Sequence, residues 1–279
     1  MHIWKIGINM IKNTEKYPIN FLEETLRLAG KELLNRYGEK LVIQTKSDAS
    51  LLTDADLASE SLIIDRIRRQ FPDDKIYSEE AGLLSKERIP GTHIWIIDPL
   101  DGTTNFANNY PFFCVSIGRG RFLDDGSIEM IMGGIFAPTQ EKTFVAALGQ
   151  GAFCNGTRLT IAPFRPLPKA FLVTGFYYKK GDDLFREVNR FARVADLCPS
   201  IRRDGSAALD LALVAEGIFD GFWELGLQPW DVAAGSILVS EAGGVLRNYD
   251  SKEELRYNLE KDGIIAGSKG IVQDIAGLL

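Results

Sequence analysis

The chain has 279 residues, 45% of them hydrophobic, ample for a large core in one domain or in two closely packed halves. Its net charge of −6 argues against a broadly basic nucleic-acid-binding surface, and no apolar run reaches the ~18 residues of a transmembrane helix. Two histidines, His2 and His93, leave no internal histidine triad or phosphohistidine motif, and three cysteines, Cys114, Cys154 and Cys198, lack paired spacing and a C-x5-R loop, which fits a reduced, cytoplasmic protein.

Residues 1–20 carry no secretory signal and are expected to be an N-terminal extension, leaving 21–279 as the main domain. Phe21 to Tyr37 reads as a helix with Leu22, Leu26, Ala29, Leu33 and Tyr37 on one face and Gly38 as its stop. A second helix is predicted from Thr53 or Asp54 to Phe71, with Leu57, Leu62, Ile63 and Ile67 apolar and Pro72 ending it. Strands follow at Lys75–Ser78, Ile94–Ile97, Phe112–Gly118, Ile128–Phe136 and Lys142–Leu148, with His93 a structural residue at the start of its strand. The second half alternates: a strand at Ala170–Thr174, a helix from Asp182 to Asp196 with a Leu184, Val188, Phe191, Ala195 stripe, a helix from Ser206 to Glu216, a strand at Gly221–Leu225, and a helix from about Asp231. Meander-like strands first and strand–helix units later predict a layered α/β (α+β) sandwich rather than a doubly wound sheet.

The chemistry concentrates in Asp98-Pro-Leu-Asp-Gly-Thr-Thr-Asn-Phe106, which leaves the apolar run His93–Ile97. Asp98 and Asp101 emerge where α/β proteins place ligands, and Pro99 stiffens the turn between them. Gly102, Thr103 and Thr104 offer backbone N–H groups to an anion. Glu79 and Glu80 follow a short strand that can lie beside the Asp98 strand, which would bring one of them to the cluster. Trp230-Asp-Val-Ala-Ala-Gly235 places Asp231 at a helix start, as a simple cap or as a further ligand, and Gly235 there suggests close packing. Asp54-Ala-Asp56 resembles a phosphatase D-x-D only in part and reads better as a helix start offering an acid. Carboxylates without histidine or cysteine point to magnesium, and their number to more than one ion.

On two signatures, Trp95-Ile-Ile-Asp-Pro-Leu-Asp-Gly-Thr-Thr-Asn-Phe106 and Trp230-Asp-Val-Ala-Ala-Gly235, the chain resembles the inositol monophosphatase family of magnesium-dependent, lithium-sensitive phosphatases from Phe21 to Leu279. The resemblance implies the αβαβα sugar-phosphatase sandwich and hydrolysis of myo-inositol monophosphate by metal-activated water. It implies one ion on Glu79, Asp98 and the Leu100 carbonyl, a second on Asp98, Asp101 and Asp231, and a third, weaker one near Glu79 with Asp56 supporting its waters. Glu79 and Thr103 would orient the attacking water, with Gly102 and Thr103 holding phosphate beside Thr104. The substrate positions would be Asp101, Asp231, Gly205, Ser206 and Ala207, with Glu224 accepting from polyol hydroxyls.

Two departures from the family pattern stand out. Ser50 replaces a frequent aspartate near Lys46, and Ala107-Asn108-Asn109 replaces a basic rim. The stretch Arg202 to Gly235 is similar to bacterial members, including extragenic-suppressor proteins that act in transcription. The family resemblance implies a homodimer, and the suppressor similarity opens a second role as a transcription or ribosome-assembly factor, with Arg202, Arg203 and Asp204 as contacts. Histidinol phosphate, fructose 1,6-bisphosphate and other sugar phosphates stay open as substrates, because a metal site reads phosphate rather than alcohol.

Overall fold

A computed structural model describes residues 14, 17–39, 42–45, 51–84, 87–176, 181–249 and 257–279. Lys46, Ser50 and most of the expected extension lie outside them. The elements run α1 (Ile19–Leu34), β1 (Ile43–Thr45), β2 (Leu51–Thr53), α2 (Asp54–Gln70), β3 (Lys75–Ser78), β4 (Gly82–Leu83), β5 (His93–Asp101), α3 (Thr103–Ala107), β6 (Cys114–Phe122), β7 (Ile128–Ala137), β8 (Lys142–Ala147), β9 (Gly151–Cys154) and β10 (Thr157–Arg158). Then follow β11 (Phe171–Thr174), α4 (Asp182–Leu197), β12 (Ser200–Arg202), α5 (Ala207–Ala215), β13 (Gly221–Glu224), α6 (Pro229–Glu241), β14 (Val245–Arg247), β15 (Ile264–Gly267) and α7 (Lys269–Ala276).

The eight-stranded sheet has the order β10-β9-β8-β7-β6-β5-β3-β4 and is antiparallel except where β3 runs parallel to β5. The five-stranded sheet has the order β12-β11-β13-β15-β14, parallel in its first three strands. Strand β5 shows why the layers form. Trp95 and Ile97 pack with Leu22, Leu26, Ile63 and Ile67 of α1 and α2, while Ile94 and Ile96 pack with Leu211, Ala233 and Ile237 of α5 and α6. Side chains alternate faces along a strand, so a strand buried on both faces reads as a continuous apolar run. Helices α5 and α6 in turn cover one face of the smaller sheet, and Val194 of α4 with Ile271, Val272 and Ile275 of α7 cover the other. The result is the expected αβαβα sandwich.

The middle layer is tight because its residues are small. A Cβ at Gly133 of β7 would lie 2.8 Å from Ala234 Cα, and one at Gly235 would lie 2.6 Å from Leu211 Cβ. Gly235 therefore lets α5 and α6 approach closely, as its position inside a helix suggested.

Some expectations shift. Helix α1 spans Ile19–Leu34 rather than 21–37, with Ile19 fully buried. Helix α6 starts at Pro229, whose fixed φ suits a first turn, two residues before Asp231. The α4 stripe is rotated: Val188 is 44% exposed, and Val194 is the fully buried apolar residue. Leu57 is 47% exposed, whereas α2 buries Asp56, Ser59 and Glu60 along with Ile63, Ile64 and Ile67. Periodicity ranked these residues by apolarity, but the sheet edge beneath the first turns of α2 offers hydrogen-bonding groups. Strands β9, β10, β12, β14 and β15, together with α7, had no sequence expectation; each strand is four residues or fewer.

Candidate active site

Strands β3 and β5 are parallel with Ser78 opposite Ile97, so both chains leave the sheet at one edge. The Glu79 N–H donates to the Ile97 carbonyl at 3.1 Å, which sets Glu79 beside Asp98 as the short strand suggested. Register against β6 then slips between Asp98 and Asp101, a bulge that turns Asp101 toward the same region. The Leu100 N–H donates to Asp98 Oδ1 at 3.0 Å and closes the turn.

Burial first, and then Glu79, Asp101 and Asp231, raises the Asp98 carboxyl well above the ordinary range. Asp231 is raised well above it by burial, Asp101, Glu79 and Glu224, against a hydrogen bond from the Gln228 N–H at 2.7 Å. That bond belongs to a capping box, so Asp231 is both a cap and a member of the acidic group. Asp101 Oδ2 accepts from Ser206 Oγ and from the Ala208 N–H, each at 2.7 Å. These donors oppose burial, and the Asp101 carboxyl settles at about 6.

The electrostatic neighbours acting on Asp98 are thus all acids. Among the described residues no three His, Cys, Asp or Glu side chains already close around one point as a metal shell. The group nonetheless suits hard cations: its donors are carboxylate oxygens, and a bound cation would offset the burial, and for Asp98 and Asp231 also the repulsion from neighbouring acids, that raises their pKa values.

Asp56 joins from α2. It is fully buried, and burial raises its pKa against hydrogen bonds from Thr53 and Thr103. Its Oδ2 accepts from the Thr53 N–H at 2.8 Å and the Thr53 hydroxyl at 2.5 Å, completing a capping box. Its Oδ1 lies 3.1 Å from Thr103 Oγ1, which also lies 3.0 Å from the Leu100 carbonyl. Gly102 caps α3 at φ 95°, and a Cβ there would meet the Phe112 carbonyl at 3.0 Å, so conformation and space both require glycine. Thr104 is exposed on the first turn of α3.

The opposite side is assembled by Asn105, whose Nδ2 donates to the Phe112 carbonyl at 2.7 Å and the Asp204 carbonyl at 2.8 Å. This holds the loop of Gly205, at φ 83°, against α3. Ser206 and Ala207 are buried, and the Ser206 hydroxyl is taken up by Asp101. Glu224 ends β13 with its carboxyl against Gly175, where a Cβ would lie 2.1 Å away. Burial pushes Glu224 up to about 8, with Arg203 opposing and Asp101 and Glu187 adding. Arg202 and Arg203 are exposed, and the Arg202 guanidinium sits 4.9 Å from the Phe171 ring centroid.

The structure therefore brings Glu79, Asp98, Leu100, Asp101, Thr103 and Asp231 to one region, with Asp56 behind Thr103 and Glu224 across from Asp101. Sequence reasoning missed Ser59, Glu60, Asn105, Gly175 and Asp210. Asp210 is buried in α5 with Oδ1 lacking a hydrogen-bond partner, and its pKa is raised well above the usual range by burial, Asp204 and Glu224. A signal existed for Glu60, which sits one helical turn after Asp56; none existed for Gly175.

Comparison with known proteins gives a consistent result. The model of the inositol monophosphatase family matches residues 16–278. An inositol-1-monophosphatase of Synechocystis is 38% identical, covering 92% of this chain and 86% of the relative. A Nus factor SuhB of Pseudomonas aeruginosa is 37% identical, covering 90% and 91%. The crystal structure of the extragenic suppressor protein suhB of Bartonella henselae superposes with a TM-score of 0.83 at 33% identity, covering 93% and 97%.

Proposed function

The chain belongs to the inositol monophosphatase family, and from that premise we propose that it is a magnesium-dependent phosphomonoesterase that hydrolyses myo-inositol monophosphate to inositol and phosphate. The convergence of Glu79, Asp98, Asp101 and Asp231 beside the start of α3 carries the reading. In it, Glu79, Asp98 and the Leu100 carbonyl would hold one ion, Asp98, Asp101 and Asp231 would hold a second, and the Asp56 side of Glu79 would hold a weaker third. Magnesium bound there supplies positive charge for phosphoryl oxygens and a water acidified for attack.

The chain's own groups do the rest. Thr103, placed between Asp56 and the Leu100 carbonyl, orients the attacking water together with Glu79. The Gly102 and Thr103 N–H groups hold phosphate oxygens, with Thr104 at the rim, and stabilise charge that grows in the transition state. Gly205, Ser206 and Ala207 shape the alcohol side, and Glu224 accepts from its hydroxyls. The work is cytoplasmic in this reading and the protein a homodimer, on the strength of the family. Among the described residues no helix is long and apolar enough to cross a membrane.

The deciding experiment compares kcat/KM for myo-inositol monophosphate, histidinol phosphate and fructose 1,6-bisphosphate with magnesium and with a chelator. Inositol monophosphate should lead, and chelation should abolish turnover. Hydrolysis that survives chelation would remove the proposed chemistry, and a different leading substrate would reassign the alcohol.

A second reading rests on the relative named as a Nus factor and on the exposed Arg202 and Arg203. In it the chain also binds the transcription machinery through this arginine pair. Wild-type protein, but not the Arg202→Glu/Arg203→Glu variant, should retain RNA polymerase or an antitermination factor from cell extract; retention of neither would end this reading.

A further inference from the structure

Helix α2 touches the site at three successive places along one face. Asp56, Ser59 and Glu60 are spaced i, i+3 and i+4, so they share one side of the helix. Each is buried, at 0%, 0% and 7% exposure. Each reaches a different segment: Asp56 the Thr103 hydroxyl, Ser59 the Pro99 carbonyl with Oγ donating at 2.8 Å, and Glu60 the turn after β3. Glu60 Oε1 alone accepts from the Ser78 hydroxyl, from the Glu80 N–H at 3.1 Å and from the Ala81 N–H at 3.0 Å. These donors lie on both sides of Glu79 in sequence, while the Glu79 N–H is held by Ile97.

We propose that this face of α2 is a positioning ledge, with Glu60 and Ser59 as positioning residues that fix the Glu79 turn against the Pro99–Leu100 turn. Neither residue reaches substrate or cation; each acts through the backbone that presents the ligands. The inference rests on the assignment of Glu79, Asp98 and Leu100 to a cation site. Its physical basis is rigidity. Two segments that are distant in sequence, the turn after β3 and the stretch from Pro99 to Thr103, must keep a fixed separation, and one short stretch of capped helix holds both. A buried carboxylate is costly unless hydrogen-bonded. Glu60 meets that condition with donors that include two N–H groups of the turn it orders. Partners behind metal ligands typically change metal affinity by about 10- to 100-fold when removed.

The test titrates manganese into wild type and the variants Glu60→Ala, Glu60→Gln, Glu60→Asp and Ser59→Ala, with free ion counted by electron paramagnetic resonance. Glu60→Ala should weaken binding by about 10-fold or more, and Glu60→Gln, which keeps an acceptor oxygen in place, by no more than about 3-fold. Glu60→Asp keeps the charge but shortens the reach, and should fall near Glu60→Ala; Ser59→Ala should show a smaller loss of about 3- to 10-fold.

Manganese affinity at the wild-type level in a cooperatively melting Glu60→Ala sample would overturn the ledge. So would equal damage from Glu60→Gln and Glu60→Ala, because charge rather than the clamp would then matter. If Glu60→Ala does not fold, wild-type affinity in Glu60→Asp overturns it instead. Inositol monophosphate hydrolysis by wild type is measured in parallel. A chain that binds manganese with the expected ranking but cleaves no phosphomonoester loses the hydrolase reading and keeps the ledge. A chain that binds no manganese loses both.

Discussion

In the proposed reading the site has a phosphate-facing and an alcohol-facing wall, and the two are held differently. On the first, the Asp98 carboxylate, the Pro99 and Leu100 carbonyls, the Asp101 carboxylate and the Thr103 hydroxyl all have internal partners, drawn from α2, β5, α3 and the start of α5. On the second, Arg202 and Arg203 are exposed, Asp210 has a buried oxygen without a hydrogen-bond partner, and Glu224 rests on a glycine. A wall of the first kind fixes how a phosphate is handled. A wall of the second kind can change residues without moving the first, and that is how one chemistry can serve several alcohols.

The largest test of that contrast is Asp98→Asn. Hydrolysis should fall by about 10³-fold or more, the scale of losing a preorganised electrostatic partner. The metal-free variant should melt no lower than wild type, because a buried charge repelled by Glu79, Asp101 and Asp231 has been removed. Kinetics with magnesium and a melt in chelator check the two halves; a variant within tenfold of wild-type turnover would break the contrast. Glu224→Ala sharpens it from the other side. Loss of its hydrogen bonds to the polyol should raise KM for inositol monophosphate by about 3- to 10-fold. Turnover of p-nitrophenyl phosphate, which has no polyol, should stay near wild type.

The same contrast governs what the sequence could reveal. The Asp98–Phe106 segment was legible because its residues bring carboxylates, a glycine and hydroxyls together within one turn, and Asp231 because a tryptophan and small residues surround it. The layered fold was legible because meander-like strands come first and strand–helix units later, and β5, buried on both faces, reads as an unbroken apolar run. Glu60 offered its place one helical turn after Asp56, but its role was hidden: its partners are two N–H groups and a serine about twenty residues away, and no side-chain pattern records them. Leu57 misled for the same reason, since apolar periodicity does not register a helix face that buries hydrogen-bonded acids. Gly175 was invisible, because its role appears only when Glu224 arrives from another strand. The β14–β15 edge was missed because three residues in β14 carry too few alternations to count, and a short apolar run such as Ile264–Gly267 reads equally as a helix segment.

A pH titration of the metal-free protein reads both walls at once. Asp101 is raised from 3.8 to about 6 and Glu224 from 4.5 to about 8. A raised carboxyl favours the protonated folded chain. Its stabilisation is complete below the unfolded value and is lost as pH climbs through the folded one. The melting temperature in chelator should therefore decline as pH rises from about 4 toward 8, each unit of pKa difference being worth about 1.4 kcal/mol. Asp98, Asp210 and Asp231, raised in the same direction, add to the decline. Magnesium should reduce the slope by compensating the phosphate-facing acids, and Glu224→Gln should remove only the part that Glu224 contributes. A melting temperature that rises across this window would show that these acids are not held protonated by burial and by one another as placed.

The smallest effect is expected where the two walls meet. Helix α6 carries Asp231 and α5 follows Ser206, and Gly235 lets them touch, with Leu211 Cβ 2.6 Å from where an alanine methyl would sit. Gly235→Ala gains helix propensity of about 1 kcal/mol, but overpacking typically costs about 1–3 kcal/mol. The net should be a loss of up to about 2 kcal/mol, a few degrees of melting temperature for a domain of this size. Helix α5 is tied to the phosphate-facing wall through the bonds from Ser206 and Ala208 to Asp101, so the strain should pass to the looser alcohol side first. Accordingly KM for inositol monophosphate should rise by a small factor, while kcat and the magnesium requirement hold. A fall in kcat with unchanged KM would mean that the middle layer supports the phosphate-facing wall instead, and that the difference between the two walls is shallower than their hydrogen bonds suggest.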